Sequence, residues 1–544
     1  MSRESALIAC LCLSVACTGE RIRQPASEAP HLRVQGEASQ LIVDGQPFLM
    51  LAGELGNSTA SDLDYLRRHW PRLQALHLNT VLAPVYWELI EPEEGRFDFA
   101  LVDGLIEDAR AHDVRLVLLW FGSWKNSMSS YAPAWVKRDQ QRFPRSQTSD
   151  GRGLEILSPF SEANRDADTL AFAALMRHLR EFDSAQHTVL MVQVENEIGM
   201  IPEARDRSEK ADRHFAGAVP AALLEYLSAN RASLAPALRS RWESRGARSD
   251  GAWEEVFGRG LGTDEIFMAW HFAVYTEAVA AAGRAECDVP LFVNAALIRP
   301  GRKPGEYPSA GPLPQVFDVW RAGAPTIDFL APDIYFPNFV EWARAYDVPN
   351  NPFFVPETGR QPDATPANAF YAFGAHDAMG FSPFAIESYA ENDHLGEAYE
   401  ILQGLAPLIL EHQGKGTIAG VRPTVAFDGT VDESSHDVRL GEFTFHVGFV
   451  DPWTPREEQT IAAHGGLIIQ LGPQEYLIAG RGLIVTFSAD EGIVGIESIW
   501  EGAHEDGKWN PGRLLNGDQS HQGRHLRLPP DEYGVQLVRL YRYS

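Results

Sequence analysis

Between residues 48 and 387, short, near-continuous apolar runs alternate with stretches spaced as amphipathic helices. The runs fall at 48–55, 80–87, 115–124, 189–197, 290–297, 327–335, 353–357 and 381–387, and helix-like segments at 63–76, 99–112, 166–182 and 264–283 separate several of them. A strand apolar on both faces must be covered on both faces, which is the condition of a parallel sheet wrapped by helices. Eight such units predict a (β/α)8 barrel rather than an open doubly wound sheet. No Gly-x-Gly-x-x-Gly turn follows the first run, which argues against a dinucleotide site. The long connection between the fourth and fifth runs calls for its own helices, one of them over 221–240. After Gln413-Gly414-Lys415-Gly416 the texture changes to short alternating runs (442–450, 466–471, 475–477, 482–488, 493–499, 534–543), the pattern of an antiparallel β-sandwich.

The expected fold class is therefore α/β: a catalytic barrel over 35–415 followed by a C-terminal β-sandwich over 416–544. Arg3, the apolar run 6–16 and Cys17 read as an export signal over 1–17. Leu13-Ser14-Val15-Ala16-Cys17 resembles a bacterial lipobox, with Ser14 where leucine is usual, and residues 18–34 read as a polar tether. The expectation is an exported chain, a periplasmic or outer-membrane lipoprotein of a bacterium, touching membrane only through its lipid. Three of the 4 cysteines lie in this leader, which leaves Cys287 alone and no disulfide framework. A formal charge of −27 argues against nucleic acid as a partner.

Barrel enzymes work at the C-terminal ends of their strands, so polar residues there are the ones to question. The fourth run ends Val192-Gln193-Val194-Glu195-Asn196-Glu197 and the seventh ends Phe354-Val355-Pro356-Glu357. Two carboxylates facing each other across a barrel mouth suit glycoside cleavage, in which one protonates the leaving oxygen and the other attacks the anomeric carbon.

Taken with Val85-Tyr86-Trp87-Glu88-Leu89-Ile90-Glu91-Pro92, Trp120-Phe121-Gly122-Ser123-Trp124 and residues 354–359, these motifs resemble glycoside hydrolase family 35 over residues 40–415. The resemblance is to its bacterial β-galactosidase branch, within the glycosidase clan whose catalytic glutamates stand on strands four and seven. It implies a retaining, exo-acting β-galactosidase releasing terminal galactose from oligo- or polysaccharides such as xyloglucan. It selects Glu197 over Glu195 as acid/base, because an Asn precedes that residue in the clan, and it makes Glu357 the nucleophile. It gives Asn196 a bond to the sugar 2-hydroxyl and Tyr335 the task of orienting Glu357.

The chain departs from family 35 after the third strand, where Trp124-Lys125-Asn126-Ser127 replaces a Cys-Ala-Glu segment. Trp124 is expected to stack on a hexose, with Lys125 and Asn126 supplying hydrogen bonds. Glu54, Asn57, Trp87, Glu88 and Glu387 are further strand-end groups expected to touch the ligand or to support those that do. No cofactor and no metal site are expected: His521 and His525 have helix-face spacing but no further ligands. Other retaining glycosidases of the clan (arabinosidase, glucosidase, endo-glycanase) and a non-catalytic carbohydrate-binding lipoprotein are the alternatives.

Overall fold

A computed structural model of the chain describes residues 28–359, 364–389, 394–505 and 507–544. The leader and lipobox expected over 1–17 lie outside the described residues, as does most of the tether. The end of the tether is corrected: His31–Gln35 is a strand pairing antiparallel with Ala38–Val43, and the Gln35 side chain donates to the carbonyls of Leu410 and Gln413. The folded body thus begins ahead of residue 35. No helix among the described residues is long and apolar enough to cross a membrane.

The eight runs become eight parallel strands closed into a barrel: Met50–Glu54, Thr80–Tyr86, Arg115–Lys125, Val189–Asn196, Leu291–Ala296, Phe329–Ile334, Val355–Thr358 and Gly380–Pro383, the last pairing with the first. Almost every strand residue is buried, which is why the runs show no alternation in sequence. The covering helices are amphipathic by the same logic. Ala100–Ala111 buries Val102, Leu105, Ile106 and Ala109, one face at helical spacing. The segment expected as one helix over 221–240 is two, Ala221–Ala229 and Pro236–Glu243, since Pro236 suits a first helical turn and breaks a continuing one. Leu261–Glu286 then returns the chain to the fifth strand.

The C-terminal region is a sandwich of a six-stranded and a four-stranded antiparallel sheet. Alternation along the six-stranded sheet splits its side chains between two cores. Ile468, Ile478, Val538 and Leu540 face the four-stranded sheet with Phe443, Phe445 and Val447. Leu467, Ile469, Leu477, Ala479 and Val535 face the barrel and join its core cluster. Against them pack the helices Thr365–Ala375 and Leu395–His412, so one sheet is the middle layer of three. Backbone approaches closely there: a Cβ on Gly404 would stand 2.0 Å from the His504 carbonyl oxygen.

A chain ending at Gly416 would lay this apolar face bare, and it is expected to aggregate or to unfold at a clearly lower temperature than the full chain. A soluble truncation with the full-length unfolding midpoint, measured by calorimetry, would contradict the shared core.

Candidate active site

Glu197 stands just past the fourth barrel strand, where the backbone leaves the ladder. Glu195 and Glu197 both take left-handed conformations, with φ of 64° and 45°, and a non-glycine residue adopts these only when its surroundings impose them. The Glu197 N–H donates to Asn294 Oδ1 on strand five (2.9 Å), while the Asn126 and Ser127 N–H groups donate to the carbonyls of Asn196 (3.2 Å) and Glu197 (3.1 Å). The Asn126 side-chain amide donates to Glu197 Oε2.

Glu357 sits on strand seven in register with Asp333 on strand six. The Tyr335 hydroxyl donates to Glu357 Oε1, and Asn294 Nδ2 donates to Asp333 Oδ2 at 2.6 Å. One carboxyl oxygen from each of Glu197, Asp333 and Glu357 lies within 4.8 Å of the others. Lys125 and Glu54 complete the cluster, and all five side chains are buried.

Burial and the negative charge of Glu357 push Glu197 up to about 7, against the opposing pull of the Lys125 ammonium and a hydrogen bond with Asp333. Burial, then the Glu357 charge, also holds Glu54 and Asp333 well above the usual carboxylate range. Burial pulls Lys125 down, but the four surrounding carboxyls outweigh it and the ammonium is held more firmly than usual. Burial and Glu357 likewise raise the Tyr335 phenol, which stays a donor. Three convergent carboxyl oxygens could also receive a divalent cation, against the repulsion of the neighbouring Lys125 ammonium.

The structure thus gathers Glu197, Glu357, Asn196, Tyr335, Lys125, Asn126 and Glu54 at one end of the barrel. Both polar atoms of the Asn196 side chain are buried without a hydrogen-bond partner, as are Glu54 Oε1, Asn57 Oδ1, Ser127 Oγ, Asp333 Oδ1 and Glu357 Oε2. One expectation is corrected, for Trp124, and Trp87 and Glu387 take the supporting one of the two roles left open to them. Trp124 is 0% exposed, its indole N–H donating to the Leu157 carbonyl and its ring packed on Phe272 and Tyr275, so it offers no face to a sugar. Trp87 is equally buried, donating to Glu91 Oε2 and meeting Trp135 edge-on. Glu387 accepts from the Gly56 N–H and the Thr59 hydroxyl, a brace on the loop after the first strand rather than a free ligand group. Glu88 pairs with Lys137 at 3.1 Å. His521 and His525 pack around Trp453. Sequence reasoning missed Asn294 and Asp333. The rule that found Glu357, a polar residue at the end of an apolar strand, applies to both.

Two family profiles match the chain: one described as Beta-galactosidase, of glycoside hydrolase family 42, over residues 62–245, and one described as Domain of unknown function (DUF5597) over 395–527. The first is a related family of the same clan, so it is the clan and not family 35 that the profile supports. A β-galactosidase of Xanthomonas manihotis is 28% identical over 183 residues, 32% of this chain and 28% of that protein. Among solved structures, the β-galactosidase of Rahnella sp. R3 is 15% identical with a TM-score of 0.46, covering 70% of this chain and 57% of its own. That of Bacillus circulans sp. alkalophilus is also 15% identical at 0.46, covering 67% and 57%. The chain therefore spans under a third of the curated relative and little more than half of these two solved ones.

The raised carboxyls carry a stability consequence. Glu54, Asp333 and Glu197 hold protons in the fold that the unfolded chain releases at lower pH, so their contribution to stability falls as pH rises through the carboxylate range toward about 7. Each such proton contributes a slope of up to about 1.4 kcal/mol per pH unit. Glu54→Gln is expected to flatten the decline of the unfolding midpoint between about pH 5 and pH 7.5. A slope equal to or steeper than that of the unmodified protein would show Glu54 ionised in the fold.

Proposed function

We propose that this chain is a retaining, exo-acting glycosidase that releases terminal β-linked galactose, with Glu197 as acid/base and Glu357 as nucleophile. The observation that carries the reading is the approach of the Glu197 and Glu357 carboxyl oxygens to within 4.8 Å in a buried cluster, with Glu197 raised to about 7. Retaining sites hold their carboxyls about 5–5.5 Å apart, whereas inverting sites need about 6.5–9.5 Å to admit a water. Protonated Glu197 gives its proton to the glycosidic oxygen as Glu357 attacks the anomeric carbon, and the departing sugar leaves a glycosyl ester on Glu357. Esterification removes the negative charge that raises Glu197, so Glu197 becomes the stronger acid and enters the second step ionised, ready to deprotonate the attacking water.

Tyr335 holds one oxygen of Glu357 and thereby aims the other. The unpartnered amide of Asn196 suits a bond to the 2-hydroxyl, a contact that strengthens in the transition state. Orphaned buried polar atoms cost free energy until a ligand or water pairs with them. Their number near the ends of strands one, four, six and seven suits the grip of a hydroxyl-rich sugar. The choice of galactose leans on the β-galactosidase profile and relative.

Glu357→Gln is expected to keep the fold and sugar affinity while turnover falls on the order of 10³-fold or more. Near-normal turnover would remove Glu357 from the mechanism. Glu197→Ala should slow alkyl galactosides on the order of 10²–10⁴-fold and nitrophenyl galactosides far less, because a nitrophenolate departs with little protonation. In the unmodified protein, kcat/KM should decline above about pH 7, where Glu197 loses its proton. NMR of a galactosylated xyloglucan oligosaccharide should show β-galactose as the first product. First-formed α-galactose would mean inversion, and release of another sugar across a panel of nitrophenyl glycosides would reassign the substrate.

A further inference from the structure

Behind the acid/base lies a second pair of carboxyls that the mechanism does not use. From the Trp120–Val194 pairing to the Lys125–Asn196 pairing, strand three advances five residues and strand four only two. The surplus residues of strand three lose their ladder partners, and in a dry interior their N–H groups need others. The Ser123 N–H donates to Asp168 Oδ2 (3.2 Å) and the Trp124 N–H to Glu195 Oε2 (2.7 Å). Asp168 also accepts from the Trp120 indole (2.9 Å) and the Tyr275 hydroxyl (3.3 Å), and Tyr275 lies 2.6 Å from the Ser123 hydroxyl. Both carboxyls are fully buried. They converge on Gly122, where a Cβ would stand 2.7 Å from Glu195 Oε1 and 2.8 Å from Asp168 Oδ1. Only glycine leaves them that space.

We propose that Glu195 and Asp168 form a buried carboxyl pair that positions the acid/base Glu197, by bracing the bulge that leads into Asn126, whose side chain holds the Glu197 carboxyl. The inference rests on the role proposed above for Glu197. The path is short: Glu195 fixes the Trp124 backbone, and two residues later the Asn126 amide donates to Glu197 Oε2. Glu195 is also two residues ahead of Glu197, so the pair grips both strands that meet at the acid. Burial and the neighbouring Asp168 charge push the Glu195 carboxyl well above its usual range. Neither residue touches the sugar, and both are positioning residues.

The test compares Glu195→Ala with Glu195→Gln on alkyl and nitrophenyl galactosides. Because the brace acts through the acid, Glu195→Ala should lower kcat on the alkyl substrate at least about tenfold more than on the nitrophenyl one, with KM little changed. Glu195→Gln keeps an acceptor for Trp124 and a permanent donor toward Asp168, and should recover most of that loss. If Glu195→Ala fails to fold, Tyr275→Phe, which removes a single oxygen, should show the same selectivity at smaller amplitude. Equal losses on both substrates, or a Gln variant as damaged as the Ala variant, would overturn the proposal. An unmodified protein inactive on every galactoside would instead defeat the proposed function.

Discussion

Four buried carboxyl groups and one buried ammonium share the barrel mouth. In such a place two neighbouring carboxylates cannot both ionise cheaply, and a buried ammonium without a counter-charge would be equally costly. The arrangement resolves this by unequal titration. Glu357 supplies the negative charge that the other groups feel, Lys125 balances charge, and Glu54, Asp333 and Glu197 keep protons beyond their ordinary range. An acid ready near neutral pH and a negatively charged neighbour within 4.8 Å therefore arise from the same coupling.

The barrel makes that coupling possible. Closing eight parallel strands brings residues that are far apart in sequence onto one rim, so Glu54, Lys125, Glu197, Asp333 and Glu357 come from five different strand ends. What keeps the rim from relaxing is mostly hydrogen bonding between neighbouring strands: Asn294 spans Glu197 and Asp333, Tyr335 spans strands six and seven, and Glu387 ties the eighth strand to the loop after the first. The C-terminal sheet supports the barrel from outside through the helices Thr365–Ala375 and Leu395–His412, which follow strands seven and eight.

The barrel strands were legible because strands buried on both faces read as apolar blocks, and the meeting of Glu197 and Glu357 at the mouth because a carboxylate ending such a block has no packing purpose. Other features gave a weaker signal. The strand His31–Gln35 is half-exposed and polar, so nothing marked it off from a tether. Trp124 and Lys125 are adjacent and were expected to serve one ligand, yet the indole packs on Tyr275 of a covering helix while the ammonium joins the mouth cluster. A bulge on strand three sets those directions, and neither composition nor spacing announces a bulge. Glu195 was set aside in favour of Glu197 as the acid/base. Its binding to the Trp124 backbone became visible only once strands three and four were side by side.

In the proposed reaction Glu357 carries the sugar covalently while Glu197 moves the proton. A galactosyl fluoride with fluorine at carbon 2 slows both steps by destabilising the oxocarbenium-like transition state, and its good leaving group lets the first step outrun the second. Incubation followed by peptide mass spectrometry should find one fluorogalactosyl group per chain, on Glu357, released slowly when a galactosyl acceptor is added. Labelling of Asp333, Glu54 or Glu197 instead, or turnover of the unfluorinated substrate with no trapped ester, would contradict the account.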